Sequence, residues 1–335
     1  MQKPKAQDID TTFLEGKSSS PLVVFIHGLG MDKRIWTDPA QSRIIAGSFP
    51  ITILVGKKPQ RKVLPEDKPR FRRITTGTPP KKLLSLFHLL HEKGFSVLSW
   101  SQKRPVGPAH AALEELSAIL DLHHSFTGNG IILIGHSRGG LFARSYALEN
   151  PDAVRVLITL GAPFRGSTLA RWAGLLSRAL VFVEPFFPQL KDSTAQNAVE
   201  RMRDFIKSTA VKELLPDSPF LQSLERPLAA HIRTLCIAGT NPHFFSLYRW
   251  RHRKTGVPSP YTIEPVELFS FPDSLRGLVP DELKKGRGDG LVAHESAIIS
   301  SCDETATYPL NHVELLFSKD VQSRVWKFLS VISPL

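Results

Sequence analysis

The chain has 335 residues, 41% of them hydrophobic and 22% charged, with a formal net charge of +12. That length buries one sizeable core with an appended subdomain and excludes a small binding module, and the composition excludes a globally disordered chain. An excess of 43 Lys and Arg over 31 Asp and Glu favours anionic partners or surfaces but does not bear on the fold.

The first twenty residues, MQKPKAQDIDTTFLEGKSSS, have no apolar core of a secretory signal, and no later run approaches the roughly 18 apolar residues of a spanning helix. The expectation is a cytoplasmic protein, able to touch a membrane only peripherally. Pro21 to Gly28 (PLVVFIHG) is a short, continuous apolar run, as in a strand buried on both faces. Residues 31–78 are rich in proline and basic side chains and read as an insertion after that strand. Ten basic residues lie between Ile51 and Lys82 against only Glu66 and Asp67. Loops this long are uncommon unless functional or poorly ordered.

KKLLSLFHLLHEKG then reads as a helix closed by Gly94, and Phe95 to Trp100 as a second strand. AALEELSAILDL puts Leu113, Leu116, Ile119 and Leu120 at helical spacing. Ile131 to Gly135, Val154 to Gly161 and Ile232 to Gly239 repeat the apolar strand pattern, and RGGLFARSYALENP between the first two reads as a helix closed by Asn150 and Pro151. Residues 167–231 break the rhythm with amphipathic stretches that read as a helical cap or lid. SKDVQSRVWKFLSVI is the last helix, with Val321, Val325, Phe328 and Leu329 on one stripe. This alternation predicts an α/β fold, a mostly parallel sheet covered by helices on both faces. Cys236 and Cys302 are too few and too far apart for a disulfide framework or a zinc site, and read as buried thiols.

Chemistry is concentrated where the third strand breaks into Gly135-His136-Ser137-Arg138-Gly139. A bare G-x-S-x-G match arises by chance in roughly one chain of this size in ten, given ordinary glycine usage. Here the match follows a strand and opens a helix, the context of a nucleophile elbow. A glycine turn that only packs helix on strand would look the same locally. A phosphate cradle is disfavoured because neither G-x-G-x-x-G nor G-x-x-x-x-G-K-[ST] is present.

Together, VVFIHGLG, LIGHSRGG, LITLGAPFRGS, GRGDGLV and NHVEL resemble, in order, the α/β-hydrolase superfamily and within it the bacterial lipase and esterase branch. The match runs from Val23 to Leu315, loosely in the insertion and the cap. The resemblance implies a carboxylic ester hydrolase with Ser137 as nucleophile, Asp289 as orienting acid and His312 as general base, in this fold's order Ser, Asp, His. Serine is a poor nucleophile without such a base, and the base needs the acid. The glycines around Asp289 make it a loop residue after a strand. The resemblance also puts backbone oxyanion donors at Leu29 and Arg138, whose side chains then matter little. His294, Asp303 and Glu314 are weaker competitors for the acid and base roles, while His27 and His136 read as structural.

Trp172, Leu176, Leu180, Phe186 and Phe187, in the cap, supply an apolar surface that is either ordinary packing or an acyl-chain groove under a mobile cover. ELLPDSPFLQSL, from Glu213, recurs in the lipase-like members. SLYRWRHRKTG, from Ser246, mixes basic and aromatic side chains, but no nucleic-acid-binding module accompanies it, so no nucleic acid is expected. The expected partner is a small-molecule or lipid ester, with peripheral contact to an anionic membrane surface; no cofactor or metal is expected. An acyltransferase or thioesterase would use the same triad, and a non-catalytic hydrolase-fold protein binding an anionic partner is the alternative from another class.

Overall fold

All five apolar runs form strands, and two strands lacking such a run complete the sheet at its edges. The computed structural model describes residues 8–17, 19–44, 49–51, 54–56, 74–78, 80, 83–170, 207–243, 247–252, 261–266, 277 and 279–332. Its strands in chain order are β1 (Thr11–Leu14), β2 (Leu22–Ile26), β3 (Arg43–Ile44), β4 (Phe49–Pro50), β5 (Ile74–Thr76), β6 (Ser96–Trp100), β7 (Ile131–His136), β8 (Val154–Leu160), β9 (Arg233–Gly239), β10 (Leu247–His252), β11 (Tyr261–Pro265) and β12 (Glu304–Tyr308). Its helices are α1 (Arg34–Thr37), α2 (Leu86–Glu92), α3 (Ala109–Leu122), α4 (Arg138–Glu149), α5 (Thr209–Glu213), α6 (Pro219–Ser223), α7 (His294–Ala297) and α8 (Lys319–Ile332).

The main sheet has seven strands in the order β1-β6-β2-β7-β8-β9-β12. Only β1 runs antiparallel to its neighbour. Alternate residues of one strand feed opposite cores. Val23 and Phe25 of β2 pack with Leu86, Phe87 and Leu90 of α2 and Val321, Val325 and Phe328 of α8, whereas Leu22, Val24 and Ile26 pack with Leu116 and Ile119 of α3 and Phe142 and Ala143 of α4. Burial on both faces makes these sequences continuous apolar runs, each such side chain contributing roughly 1.5–3 kcal/mol. β12, in contrast, alternates half-buried and exposed residues, as befits an edge.

Within residues 31–78 the described parts pack rather than dangle. Ile35, Trp36, Ile44, Ile51, Leu54 and Val55 are buried in the same core as α2 and α8, and β5 pairs with β10 in a small sheet ordered β11-β10-β5. Most of the basic run, Lys57 to Arg73, lies outside the described residues, as do Arg253 and Lys254. Of the expected cap, residues 167–170 and 207–231 are described; Trp172, Leu176, Leu180, Phe186 and Phe187 lie outside. Among the described residues no helix is long and apolar enough to cross a membrane.

Candidate active site

The sheet register sets the ends of β7, β8 and β9 side by side, with His136 opposite Leu160 and Leu160 opposite Ile237. Ligands of open α/β sheets bind beyond these carboxyl ends. At the end of β7 the chain reverses through Ser137, whose φ of 53° and ψ of −129° make it the only described non-glycine residue with positive φ. An L-residue there is strained by about 1–3 kcal/mol, held by the strand on one side and α4 on the other. The Ser137 amide donates to Leu160 O at 2.9 Å, and its side chain makes no capping bond to α4. Gly135 is required by close approach, since a Cβ there would lie 2.5 Å from the Gly139 carbonyl oxygen and the Gly140 backbone. Gly28 is required likewise, because its Cβ would lie 2.9 Å from Ser137 Cβ. The loop after β2 therefore rests against the serine.

Asp289 and His312 meet on the same edge. A Cβ on Gly161, just past β8, would lie 3.1 Å from the His312 ring and 3.2 Å from Asp289 Oδ2; one on Gly239, at the end of β9, would lie 2.8 Å from Asp289 Cβ. Asp289 is a loop residue, as expected, but no strand leads directly into it. The nearest preceding element is a 3-10 turn, Asp281–Leu283, and the chain leaves β9 at Gly239 and returns to that strand's end only after β10 and β11. His312 Nδ1 donates to Asp289 Oδ2 at 2.7 Å, with both side chains 1% exposed. Asp289 Oδ1 accepts the amides of Leu291 at 3.0 Å and Val292 at 2.8 Å. His312 Nε2 is buried and has no hydrogen-bond partner among the described residues. A ring whose Nδ1 donates keeps a lone pair on Nε2.

Asn311 locks the loop that carries His312. Its Nδ2 donates to Leu54 O at 3.0 Å and His243 O at 3.1 Å, and its Oδ1 accepts the Val313 and Glu314 amides. Glu314 Oε2 accepts the Asn311 amide in return, completing a capping box. Sequence reasoning passed over Asn311, although Asn-x-x-Glu in NHVEL carries that signature. Glu314 is thus a cap residue rather than the acid. Asp303 accepts from the Thr234 amide and hydroxyl at 2.7 and 2.9 Å, at the start of β9, and His294 Nε2 meets Thr307 Oγ1 at 2.9 Å. Neither joins the Asp289–His312 pair.

The two histidines read as structural are both buried. His136 Nε2 donates to His312 O at 3.0 Å and its ring lies 4.7 Å from that of His312. Burial, reinforced by His312, pushes it well below the ordinary histidine value. His27 donates from Nδ1 to Gly28 O at 3.0 Å and accepts the Gln102 amide on Nε2 at 3.3 Å; burial pushes it down to about 4. Burial thus disfavours the charged form of both rings.

No described residue accepts a hydrogen bond from the amides of Leu29 or Arg138. The Arg138 side chain departs from expectation. It is 1% exposed, donates from Nη2 to Gly107 O at 2.7 Å and to Glu213, and its guanidinium lies 4.7 Å over the Phe142 ring. Burial lowers its proton affinity and Glu213 offsets that in part. Nothing in the local sequence flags Glu213 as the partner, because 74 residues separate the two. Glu282, also buried, accepts the Thr168 amide at 2.6 Å and both Ser167 and Thr168 hydroxyls, tying the turn before Asp289 to the start of the expected cap.

Among the described residues no group of His, Cys, Asp and Glu could hold a metal ion. Comparison with solved structures finds the lipase BlEst2 of Bacillus licheniformis in its mature form, 17% identical with a TM-score of 0.52, covering 96% of this chain and 98% of that one. The propeptide form of the same lipase is 16% identical with a TM-score of 0.52, covering 96% of this chain and 53% of that one. A carboxylesterase of the thaumarchaeon Nitrososphaera gargenis is 15% identical with a TM-score of 0.47, over 96% of this chain and 94% of that one. At such identities the likeness is one of fold. A family model described as the alpha/beta hydrolase family matches residues 23–263. Matched by that model over well more than half its length, and built on a mostly parallel sheet with the sharp strand-to-helix turn at Ser137, this chain belongs to the alpha/beta hydrolase family.

Proposed function

We propose that the protein is a serine hydrolase of carboxylic esters, most of all esters of a hydrophobic acyl chain. The observation that carries this reading is the buried Asp289–His312 hydrogen bond, its imidazole 4.7 Å from the ring of His136, the neighbour of Ser137, with His312 Nε2 lacking a hydrogen-bond partner among the described residues. In the reaction Ser137 Oγ bonds to the ester carbonyl carbon while its proton passes to His312 Nε2, and Asp289 steadies the imidazolium. The carbonyl electron pair moves to oxygen, where the amides of Leu29 and Arg138 donate to it. Collapse breaks the C–O bond, the alcohol takes the proton from His312, and water then releases the acid from Ser137 by the same steps.

Supporting the apolar acyl group, Leu29, Leu141, Phe164 and Ile298 gather in one apolar cluster beside the proposed oxyanion loop. The solved structure named as a lipase is consistent with the same class. The test is labelling with a fluorophosphonate probe, together with chain-length profiling on p-nitrophenyl esters. Ser137→Ala is expected to lose all labelling and turnover; equal labelling of both proteins overturns the nucleophile. A preference for acetyl over octanoyl esters overturns the hydrophobic-acyl part alone.

A further inference from the structure

We infer that Glu213 is a positioning residue for the oxyanion site, acting through the side chain of Arg138; this rests on the serine-hydrolase reading. Arg138 is the first residue of α4, and its amide is one of the two proposed donors. Three contacts on its guanidinium decide where that amide points: Gly107 O at 2.7 Å, the Glu213 carboxylate, and the face of Phe142 one turn further along α4. The first two lie outside α4. They anchor the helix start laterally, where the helix's own hydrogen bonds supply nothing to its first amides.

Glu213 is itself held on both its carboxylate and its carbonyl, and its neighbour Leu214 is held as well. Its Oε1 and Oε2 accept the Ala109 amide, at the start of α3, at 3.0 and 3.1 Å. Its carbonyl accepts the Ser218 hydroxyl at 2.6 Å, and the next carbonyl, Leu214 O, accepts the Ser167 amide at 2.9 Å from the segment after β8. One carboxylate thus ties the starts of α3 and α4 to the base of the expected cap. With Arg138 sealed and Glu213 part-buried, such a charge pair is costly unless fully bonded, and Arg138 Nε has no partner among the described residues, so stability alone is a weak account of it. Arg138 is sealed from solvent and cannot itself meet substrate; its effect reaches the reaction only through the backbone.

The test compares Glu213→Gln, Glu213→Asp and the apolar double variant Arg138→Met/Glu213→Leu, with kcat expressed per active site titrated by a fluorophosphonate end point. Losing an oxyanion donor outright costs roughly 100- to 1000-fold in kcat, and misdirecting one costs less. Glu213→Gln is expected to lose roughly 10- to 100-fold in kcat with KM within about twofold, and Glu213→Asp, which keeps the charge, to recover part of it. The double variant is expected to melt near wild type yet keep the low kcat, because it restores packing but not the tether. If its kcat recovers along with its melting temperature, or if Glu213→Gln keeps wild-type kcat, the pair is structural only and the inference falls. Should Glu213→Gln not fold, Glu213→Asp and the double variant decide by the same criteria. The serine-hydrolase reading fails separately, through Ser137→Ala.

Discussion

Replacing Asp289 by Asn probes the proposed base most directly, because the structure dictates how the amide must sit. Oδ1 of Asp289 accepts two backbone amides, from Leu291 at 3.0 Å and Val292 at 2.8 Å. In the Asn variant only the carbonyl oxygen can take that position, since the NH2 group would face two donors. The NH2 group is therefore turned toward His312 Nδ1, in place of the carboxylate oxygen that stood 2.7 Å away. His312 Nδ1 must then accept, which puts the ring proton on Nε2, the nitrogen that has to take the proton from Ser137. A base in the wrong tautomer costs roughly 10⁴ in kcat, or about 5 kcal/mol of barrier at 1.36 kcal/mol per tenfold. Folding suffers less, because every buried polar atom except the exchanged pair keeps its partner; the expected loss is about 1–2 kcal/mol. The assay is hydrolysis of p-nitrophenyl butyrate, with thermal melts to verify folding and Asp303→Asn as the control for a carboxylate, bonded to Thr234 and paired with Arg233, that lies outside the Asp289–His312 pair. A kcat within tenfold of wild type, in a variant that melts within a few degrees of it, would refute the assignment of Asp289.

Two further predictions follow from strain and burial. Ser137→Gly should be more stable than Ser137→Ala by about 1 kcal/mol, because glycine adopts a φ of 53° without the Cβ clash and alanine does not; equal melting temperatures would show that the turn stores no strain. His27 is held at about 4 from an ordinary 6.5, so between these values the unfolded chain binds more protons than the folded one. Its contribution is present above pH 6.5 and is lost as pH falls toward 4, roughly 3 kcal/mol across that window. His136 acts in the same direction. Urea midpoints measured from pH 7.5 down to 4.5 should decline, and His27→Gln should flatten the decline; an unchanged slope in the variant would rule out His27 as its source.

The parts of this protein legible in the sequence were those that local chemistry controls. Apolar runs from Pro21, Phe95, Ile131, Val154 and Ile232 had to be buried on both faces, and helical stripes between them had to cover those faces, so a mostly parallel sheet followed from periodicity. Gly135-His136-Ser137-Arg138-Gly139 announced a sharp turn because few other residues could approach the next helix so closely. Edge strands β1 and β12 escaped notice since an edge buries one face and needs no apolar run.

Only the tertiary structure could decide which distant side chains meet. Asp289 returns to the end of β9 after an excursion through a second small sheet, a route that GRGDGLV, which marks the residue only through its resemblance, does not record. Arg138 finds Glu213 across 74 intervening residues, turning a position whose side chain looked irrelevant into half of a part-buried ion pair. The physical reason is the same in both cases: periodicity reports how a segment meets solvent, whereas a hydrogen bond between segments depends on where the folded chain carries them.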